Sequence, residues 1–478
     1  MMMGKITKGE DFLFNQVYEY VLNRIECKEW KQHEKLPSIR QLALEFKIHR
    51  LTVLKAYKLL KSQNKIYVKD KVGYFVQSMD TRPEESGDPP IVPAYRQTSS
   101  LSEIHQLQVD YNFSQALIDP NLLPNHYLAD YVKKVFDLYP KVLATYADVR
   151  GDEELRETLA NYFTKQYRTV LQADNLLILS GSQQGLHLIA QTFIKPRDTV
   201  LFERPSYSAA IDVFKSKGAQ IKTIEITSNG YDLDKVETYM KKYRPRLFYT
   251  NPTFHNPTGY TVPTAQRKEL VQLAERYHCL LLEDDAYHDI YYEKKPPAPI
   301  YTYDTSGTVI YLRSFSKYIS PGLRVSTIIS QSSIMKALIS VKALTDNGSP
   351  LLNQKVFLHY FTSARLQQHL DKLRIALQIR KELVEAQLEN TNWQWTSPDG
   401  GLNLWVQLPE DHSTDLLLPR AVANSISFVP GQICDPLNQP SAWIRLSYSY
   451  MNEIHLQEGI EKLITLVHMK KGADKYEF

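Results

Sequence analysis

Cysteine is scarce in this chain. Cys27, Cys279 and Cys434 are the only three in 478 residues, far apart and without the paired spacing of a metal site or a disulfide framework. Buried free thiols are expected, and with them a reducing, cytoplasmic setting. Long apolar runs are missing as well: no stretch of eighteen apolar residues occurs, so no membrane-spanning helix is expected. Met1 to Asp11 lacks the basic-then-apolar pattern of a secretory signal. Internal repeats and low-complexity tracts are also lacking. What remains is an ordinary globular balance, 43% hydrophobic and 23% charged, long enough for two or three domains.

Charge is unevenly spread. Residues 1–79 hold 15 Lys and Arg against 8 Asp and Glu, a balance of +7, whereas the whole chain is only +4. A basic small module joined to a mildly acidic large one suits a nucleic-acid binder with a passenger domain. Texture divides the chain in the same place. Residues 12–78 are compact and periodic. Residues 79–108 are rich in Pro, Ser, Gly and acid and read as a linker. From Val109 to about residue 470, short β-rich runs (Leu176–Leu179, Thr199–Phe202, Leu247–Tyr249, Leu280–Glu283, Val309–Leu312) alternate with helical patterns. That alternation predicts an α/β fold, a mainly parallel sheet flanked by helices.

In the first module, Phe14, Val17, Tyr18, Val21, Leu22 and Ile25 recur at helical spacing. Ser38 after Pro37 is placed to cap a second helix. A third helix is expected from Arg50 to Ser62, then strands at Lys65–Val68 and Gly73–Gln77, joined by Lys69-Asp70-Lys71. This is the order of a winged helix-turn-helix, whose third helix enters the major groove. Ser38, Arg40, Arg50 and Thr52 sit where polar groups would meet DNA, and Lys55, Lys58, Lys61, Lys65, Lys69 and Lys71 where phosphates would pass. The run Leu36-Pro37-Ser38-x-Arg40-x-Leu42-Ala43, Arg50-x-Thr52-Val53-x-x-Ala56-Tyr57-x-x-Leu60 and Gly73-x-Phe75-Val76 resembles the GntR-type DNA-binding domain. It departs from that pattern in lacking the usual glycines at Lys28–Lys35 and at Asn64, and in placing His49 where serine precedes the recognition arginine.

In the second module the strongest chemical signal is Ser314-Phe315-Ser316-Lys317 followed by Pro321-Gly322-Leu323-Arg324. A lysine that forms a Schiff base must end a strand and face a pocket. Ser314, Ser316 and Arg324 are suited to phosphate oxygens. Gly181-Ser182-Gln183-Gln184-Gly185 opens a helix after a strand, another phosphate-favouring arrangement. Asn256, in Asn-Pro-Thr-Gly, can bond a phenolic oxygen. Asp284 can keep a pyridine nitrogen protonated, and Tyr287 lies three residues on. Tyr207 can stack on a ring, and Arg445 suits a substrate or effector carboxylate.

Together these segments resemble the fold-type I pyridoxal-phosphate enzymes of the aspartate aminotransferase superfamily, over roughly Val109 to Val467. The resemblance implies pyridoxal 5'-phosphate as cofactor, a smaller C-terminal α+β subdomain, Lys317, Asp284 and Tyr287 as the catalytic set, and Tyr146 reaching the phosphate of a partner subunit. The combination resembles the MocR subfamily of GntR-type regulators. That implies a homodimer paired through its large domains, a double-stranded DNA operator, and an amine or amino-acid effector sensed by aldimine exchange at Lys317. Two alternatives stay open at this point: an active aminotransferase carrying an accessory DNA-binding domain, and a regulator whose effector is the cofactor itself.

Overall fold

The computed structural model describes residues 10–27, 29–63, 65–69, 72–77, 99–409 and 413–468. The first nine residues, most of the expected linker, the wing-turn residues Asp70 and Lys71, and Lys28, Asn64, Met469 and Lys470 lie outside the described residues. Two compact units divide near residue 96.

The smaller unit opens with α1 (Glu10–Glu26), α2 (Ile39–Glu45) and α3 (Arg50–Ser62), then an antiparallel hairpin of β1 (Ile66–Lys69) and β2 (Gly73–Val76). Ser38 caps α2 in a reciprocal box: its Oγ accepts from the Gln41 amide at 3.2 Å, and Gln41 Oε1 accepts from the Ser38 amide at 2.8 Å. His49 takes over the capping of α3, its Nδ1 accepting from the Leu51 amide at 3.3 Å. The departure from serine there therefore preserves a cap. The apolar stripes predicted along the three helices meet in one core, in which Val17, Val21, Leu42, Val53, Ala56, Tyr57 and Leu60 are buried. Tyr57 keeps its hydroxyl satisfied by donating to Pro37 O at 2.8 Å, which ties α3 to the turn before α2.

The larger unit is built on an eight-stranded sheet. In chain order its strands are β4 (Leu176–Leu179), β5 (Thr199–Arg204), β6 (Gln220–Thr227), β7 (Gly230–Tyr231), β8 (Leu247–Thr250), β9 (Leu280–Asp285), β10 (Val309–Ser314) and β11 (Ser326–Ile329). Their spatial order is β4-β11-β10-β9-β8-β5-β6-β7. β5, β6, β8, β9 and β10 pair in parallel, while β11 runs against both of its neighbours and β7 against β6. The sheet is thus mainly parallel, as expected. Strands such as Leu-Leu-Ile-Leu at β4 are buried along their whole length because helices cover both faces. The smaller C-terminal subdomain is a four-stranded antiparallel sheet, Gln394–Trp395, Asn403–Gln407, Trp443–Ser447 and Val429–Pro430, covered by the helix Glu453–His468.

Two expectations need correction. The linker does not extend to residue 108: a helix, α4 (Ser100–His105), forms inside it. Leu101 and Ile104 are buried, Leu101 against Trp405, Val429 and Cys434. Each buried side chain of this size contributes about 1.5–3 kcal/mol, which offsets the poor intrinsic stability of so short a helix. Of the thiols, Cys279 and Cys434 are buried as expected, but Cys27 is exposed.

Candidate cofactor pocket and DNA-reading surface

Parallel strands deliver their C-terminal ends to one side of a sheet, where a crevice opens for ligands. Here β4, β8, β9 and β10 end around a cavity of about 340 Å³ lined by Ser182, Tyr207, Asn256, Asp284, Tyr287, Ser314, Lys317 and Arg445 among others. Eight of the sequence-predicted residues are therefore brought to one cavity from segments up to 263 residues apart.

β9 carries three carboxylates in a row, and strand alternation sorts them. Glu283 accepts from the Ile300 and Tyr301 amides at 2.9 and 3.0 Å. Asp285 lies 2.8 Å from His288 Nδ1 and 3.2 Å from Arg313 Nη1, and accepts from the Tyr311 hydroxyl. Asp284 alone lines the cavity. Its Oδ2 accepts from the Tyr249 hydroxyl at 2.9 Å, and its Oδ1 is buried with no partner among the described residues. Burial pushes the Asp284 carboxyl up to about 7. A cationic N–H partner is what this orphaned oxygen lacks.

Lys317 stands three residues beyond β10, and its Nζ donates to Ala116 O at 3.1 Å. Burial, then the charges of Arg445 and Arg324, pull its ammonium down to about 8. Such an amine is partly neutral near physiological pH and thereby nucleophilic. Arg445, buried on Trp443–Ser447, donates to Asn256 Oδ1 at 3.1 Å and to Ser114 O, while its Nε has no partner among the described residues.

A cluster of polar groups adjoins the start of the helix Ser182–Phe193. Gly181, with φ +92°, caps this helix, and a side chain there would fall onto the Arg324 guanidinium. Gln183 Oε1 is buried without a partner among the described residues. Ser314 is buried at the cavity, and Ser316 Oγ lies 3.4 Å from Val325 O. Arg324 itself is exposed and held at Ser180 O. Tyr146 is 85% exposed and is not brought to the cavity within this chain.

Sequence reasoning missed Tyr249 and Asn251. Asn251 donates to Asp284 O and accepts from the Asn256 amide at 2.8 Å, while its own amide donates to Glu203 at 2.8 Å. Glu203 Oε2 also lies 3.1 Å from His255 Nε2. The position of Asn251, directly after β8, was the available signal. Leu101, His105, Gln115, Ala116 and Leu117 line the cavity too.

In the smaller unit, Arg40, Arg50, Lys55, Lys58 and Lys61 are exposed and Thr52 is half-buried. Arg40 and Arg50 enter no ion pair among the described residues. Ser38 is exposed, but its hydroxyl is committed to the α2 cap.

The comparisons with known proteins agree with this geometry. The model of aminotransferase class I and II matches residues 122–463, and that of bacterial regulatory proteins of the gntR family matches residues 13–76. An uncharacterized HTH-type transcriptional regulator of Bacillus subtilis strain 168, YdfD, is 30% identical over 94% of this chain and 95% of its own length. Aromatic-amino-acid aminotransferase 1 of Thermococcus litoralis is 30% identical over 74% of this chain and 87% of its own. The crystal structure of LysN, an alpha-aminoadipate aminotransferase of Thermus thermophilus complexed with N-(5'-phosphopyridoxyl)-L-leucine, is 29% identical. It covers 78% of this chain and 95% of that one with a TM-score of 0.72. Among the described residues no helix is long and apolar enough to cross a membrane. Pyridoxal 5'-phosphate is the cofactor of the large domain, and the orphaned oxygen of Asp284, the polar cluster at Gly181 and the partly neutral Lys317 fit it. With a gntR-family reader at one end and an aminotransferase fold filling most of the rest, this chain belongs to the transcription regulators that join a GntR-type winged helix-turn-helix to a class I and II aminotransferase domain, the MocR layout.

Proposed function

We propose that this regulator senses an amino compound in the pocket at Lys317 and changes its hold on a DNA operator in response. The observation that carries the reading is the convergence of Lys317, Asp284 and Arg445 on one cavity in a chain that also presents Arg40 and Arg50 freely. When bound, the cofactor supplies an aldehyde that exchanges amines and a ring that withdraws electrons. Lys317 Nζ offers the amine that holds it. Asp284 Oδ1 would accept a hydrogen bond from the protonated ring nitrogen and keep it protonated, and Tyr249 and Asn251 orient that carboxylate. Asn256 and Tyr287 serve the phenolic oxygen, and Tyr207 the ring face. Ser182, Gln183, Ser314, Ser316 and Arg324 serve the phosphate, joined by Tyr146 of the partner subunit in a homodimer. Arg445 takes the carboxylate of the effector, and the leucine adduct in the LysN structure supports a pocket of this class accepting an amino acid.

Arg50 and Thr52 at the start of α3, with Arg40 on α2 and the O–H of its cap Ser38, read the operator, and the lysines of α3 meet phosphates. The work takes place in the cytoplasm, where the DNA is. A ten- to hundredfold change in DNA affinity needs only about 1.4–2.8 kcal/mol of coupling between the two sites. The test is footprinting of the full-length protein on DNA upstream of its own gene, as apoprotein, with pyridoxal phosphate, and with added amino acids. Protection that changes with an amine supports the reading. Protection identical in all three states overturns it.

The set Lys317, Asp284, Arg445 would serve a second reading equally, a working aminotransferase with a DNA-binding appendage. Steady turnover of an amino donor and a 2-oxo acid at about 1 s⁻¹ or more, with no effect of either on DNA binding, would establish it instead.

A further inference from the structure

The two cations that would anchor an amino acid are both engaged with one short backbone segment. Lys317 Nζ donates to Ala116 O, and Arg445 donates to Ser114 O. That same Ser114 O lies 3.2 Å from His105 Nε2, and the Gln115 side chain donates to His105 O at 3.3 Å. Residues 114–116 are therefore braced on one side by the ligand-binding cations and on the other by the last residue of α4. Burial, then the charge of Arg445, holds the His105 imidazole down at about 4, so the ring is neutral at physiological pH. Facing a carbonyl oxygen, its Nε2 must carry the proton. Leu101, at the opposite end of α4, is the other wall residue. α4 is also the first helix of the large unit, a few residues past its boundary near residue 96.

We infer that α4 is the element that reports pocket occupancy: Lys317 would leave Ala116 O on holding the cofactor, Arg445 would leave Ser114 O on meeting an effector carboxylate, and residues 114–116 would then release α4. The inference rests on the sensor reading and deepens it. It specifies the effector as an amine bearing a carboxylate, since an amine alone leaves Arg445 on Ser114 O. It also gives the sequence a reason to place a docked helix where a plain linker was expected. A helix of six residues held by two apolar side chains and two hydrogen bonds at His105 is easily loosened, which suits a switch.

The experiment is hydrogen–deuterium exchange on the full-length protein loaded with pyridoxal phosphate, alone, with saturating L-leucine, and with saturating isopentylamine, which lacks the carboxylate. Saturation is judged by cofactor absorbance, and DNA affinity is measured in parallel by anisotropy. The expected result is exchange at amides 100–107 at least several-fold faster with L-leucine than with either control. His105→Leu, which removes the bond to Ser114 O, is expected to exchange fast without any ligand. Unchanged exchange at 100–107 on saturation with L-leucine overturns the inference. So does an equal response to isopentylamine, or an absorbance that L-leucine never alters. If α4 responds and DNA affinity does not, the sensor reading fails while the link between pocket and α4 stands. If DNA affinity responds and α4 does not, the sensor reading stands and α4 is not its reporter.

Discussion

Tyr249 and Asp284 stand on adjacent strands, and the 2.9 Å bond from the phenol to Oδ2 is the one side-chain hydrogen bond that Asp284 accepts among the described residues. It orients Oδ1 toward the cavity and favours the ionised carboxylate. Tyr249→Phe removes both effects. A hydrogen bond to a charged group is worth about 1.5–3 kcal/mol, so affinity for pyridoxal phosphate should fall roughly tenfold or more. Titration of the apoprotein, followed by cofactor absorbance, measures this. Unchanged affinity would remove Tyr249 from the site.

Asp284 also makes a pH prediction. Its folded carboxyl keeps its proton up to about 7, whereas an unfolded one loses it near 3.8. The folded state binds the extra proton between these values, so this group's contribution to apoprotein stability is full below about 4 and is lost as pH rises through 7. Asp284→Asn should therefore raise the apoprotein's melting temperature at pH 8 and change it little at pH 4, while abolishing tight cofactor binding. A lower melting temperature at pH 8 would contradict the buried-carboxylate account.

Lys317 supplies the kinetic counterpart. Only the neutral amine attacks the cofactor aldehyde, and the amine titrates at about 8. Capture of pyridoxal phosphate by the apoprotein should speed up as pH rises from 6 to 8 and level off above 9, measured by stopped-flow absorbance. Lys317→Ala should lose the imine band and retain DNA binding.

Gly181 is constrained by both its φ of +92° and the Arg324 guanidinium. Gly181→Ala should displace Arg324 and weaken cofactor binding about tenfold or more, with pyridoxal lacking the phosphate affected far less. Equal losses for the two ligands would place the damage elsewhere than the phosphate cradle.

At the other end of the chain, Arg50→Ala should cost about 1–3 kcal/mol of operator affinity and leave the cofactor spectrum unchanged. His49→Ala, which deletes the cap of α3, should destabilise the smaller unit by about 0.5–2 kcal/mol, and His49→Ser should restore it. Anisotropy and thermal melting separate the two effects.

Much of this was legible in the sequence because it is local. Helix periodicity, the Ser38 cap, the strand ends and the Lys317 segment are all written within a few residues. What escaped depends on neighbours across the sheet. Tyr249 matters only because β8 pairs with β9 in the register that sets Tyr249 beside Leu282, within reach of Asp284. α4 escaped because two buried side chains in six residues, flanked by Ser and Pro, carry too little periodicity to outweigh linker composition. Tyr146 was legible as a motif, yet it is exposed and does not line the cavity within this chain.

The alternation along Glu283-Asp284-Asp285 has an evolutionary corollary. With carboxylates on both faces of one strand, β9 cannot slide by a single residue without turning Asp284 out of the pocket and withdrawing Asp285 from Arg313. Insertions or deletions between β8 and β9 are therefore tolerable only if the intervening helix and its turns absorb them entirely. Sequence drift in descendants of this chain should accumulate in the loops around that helix, while the stagger of β9 against its neighbours stays frozen.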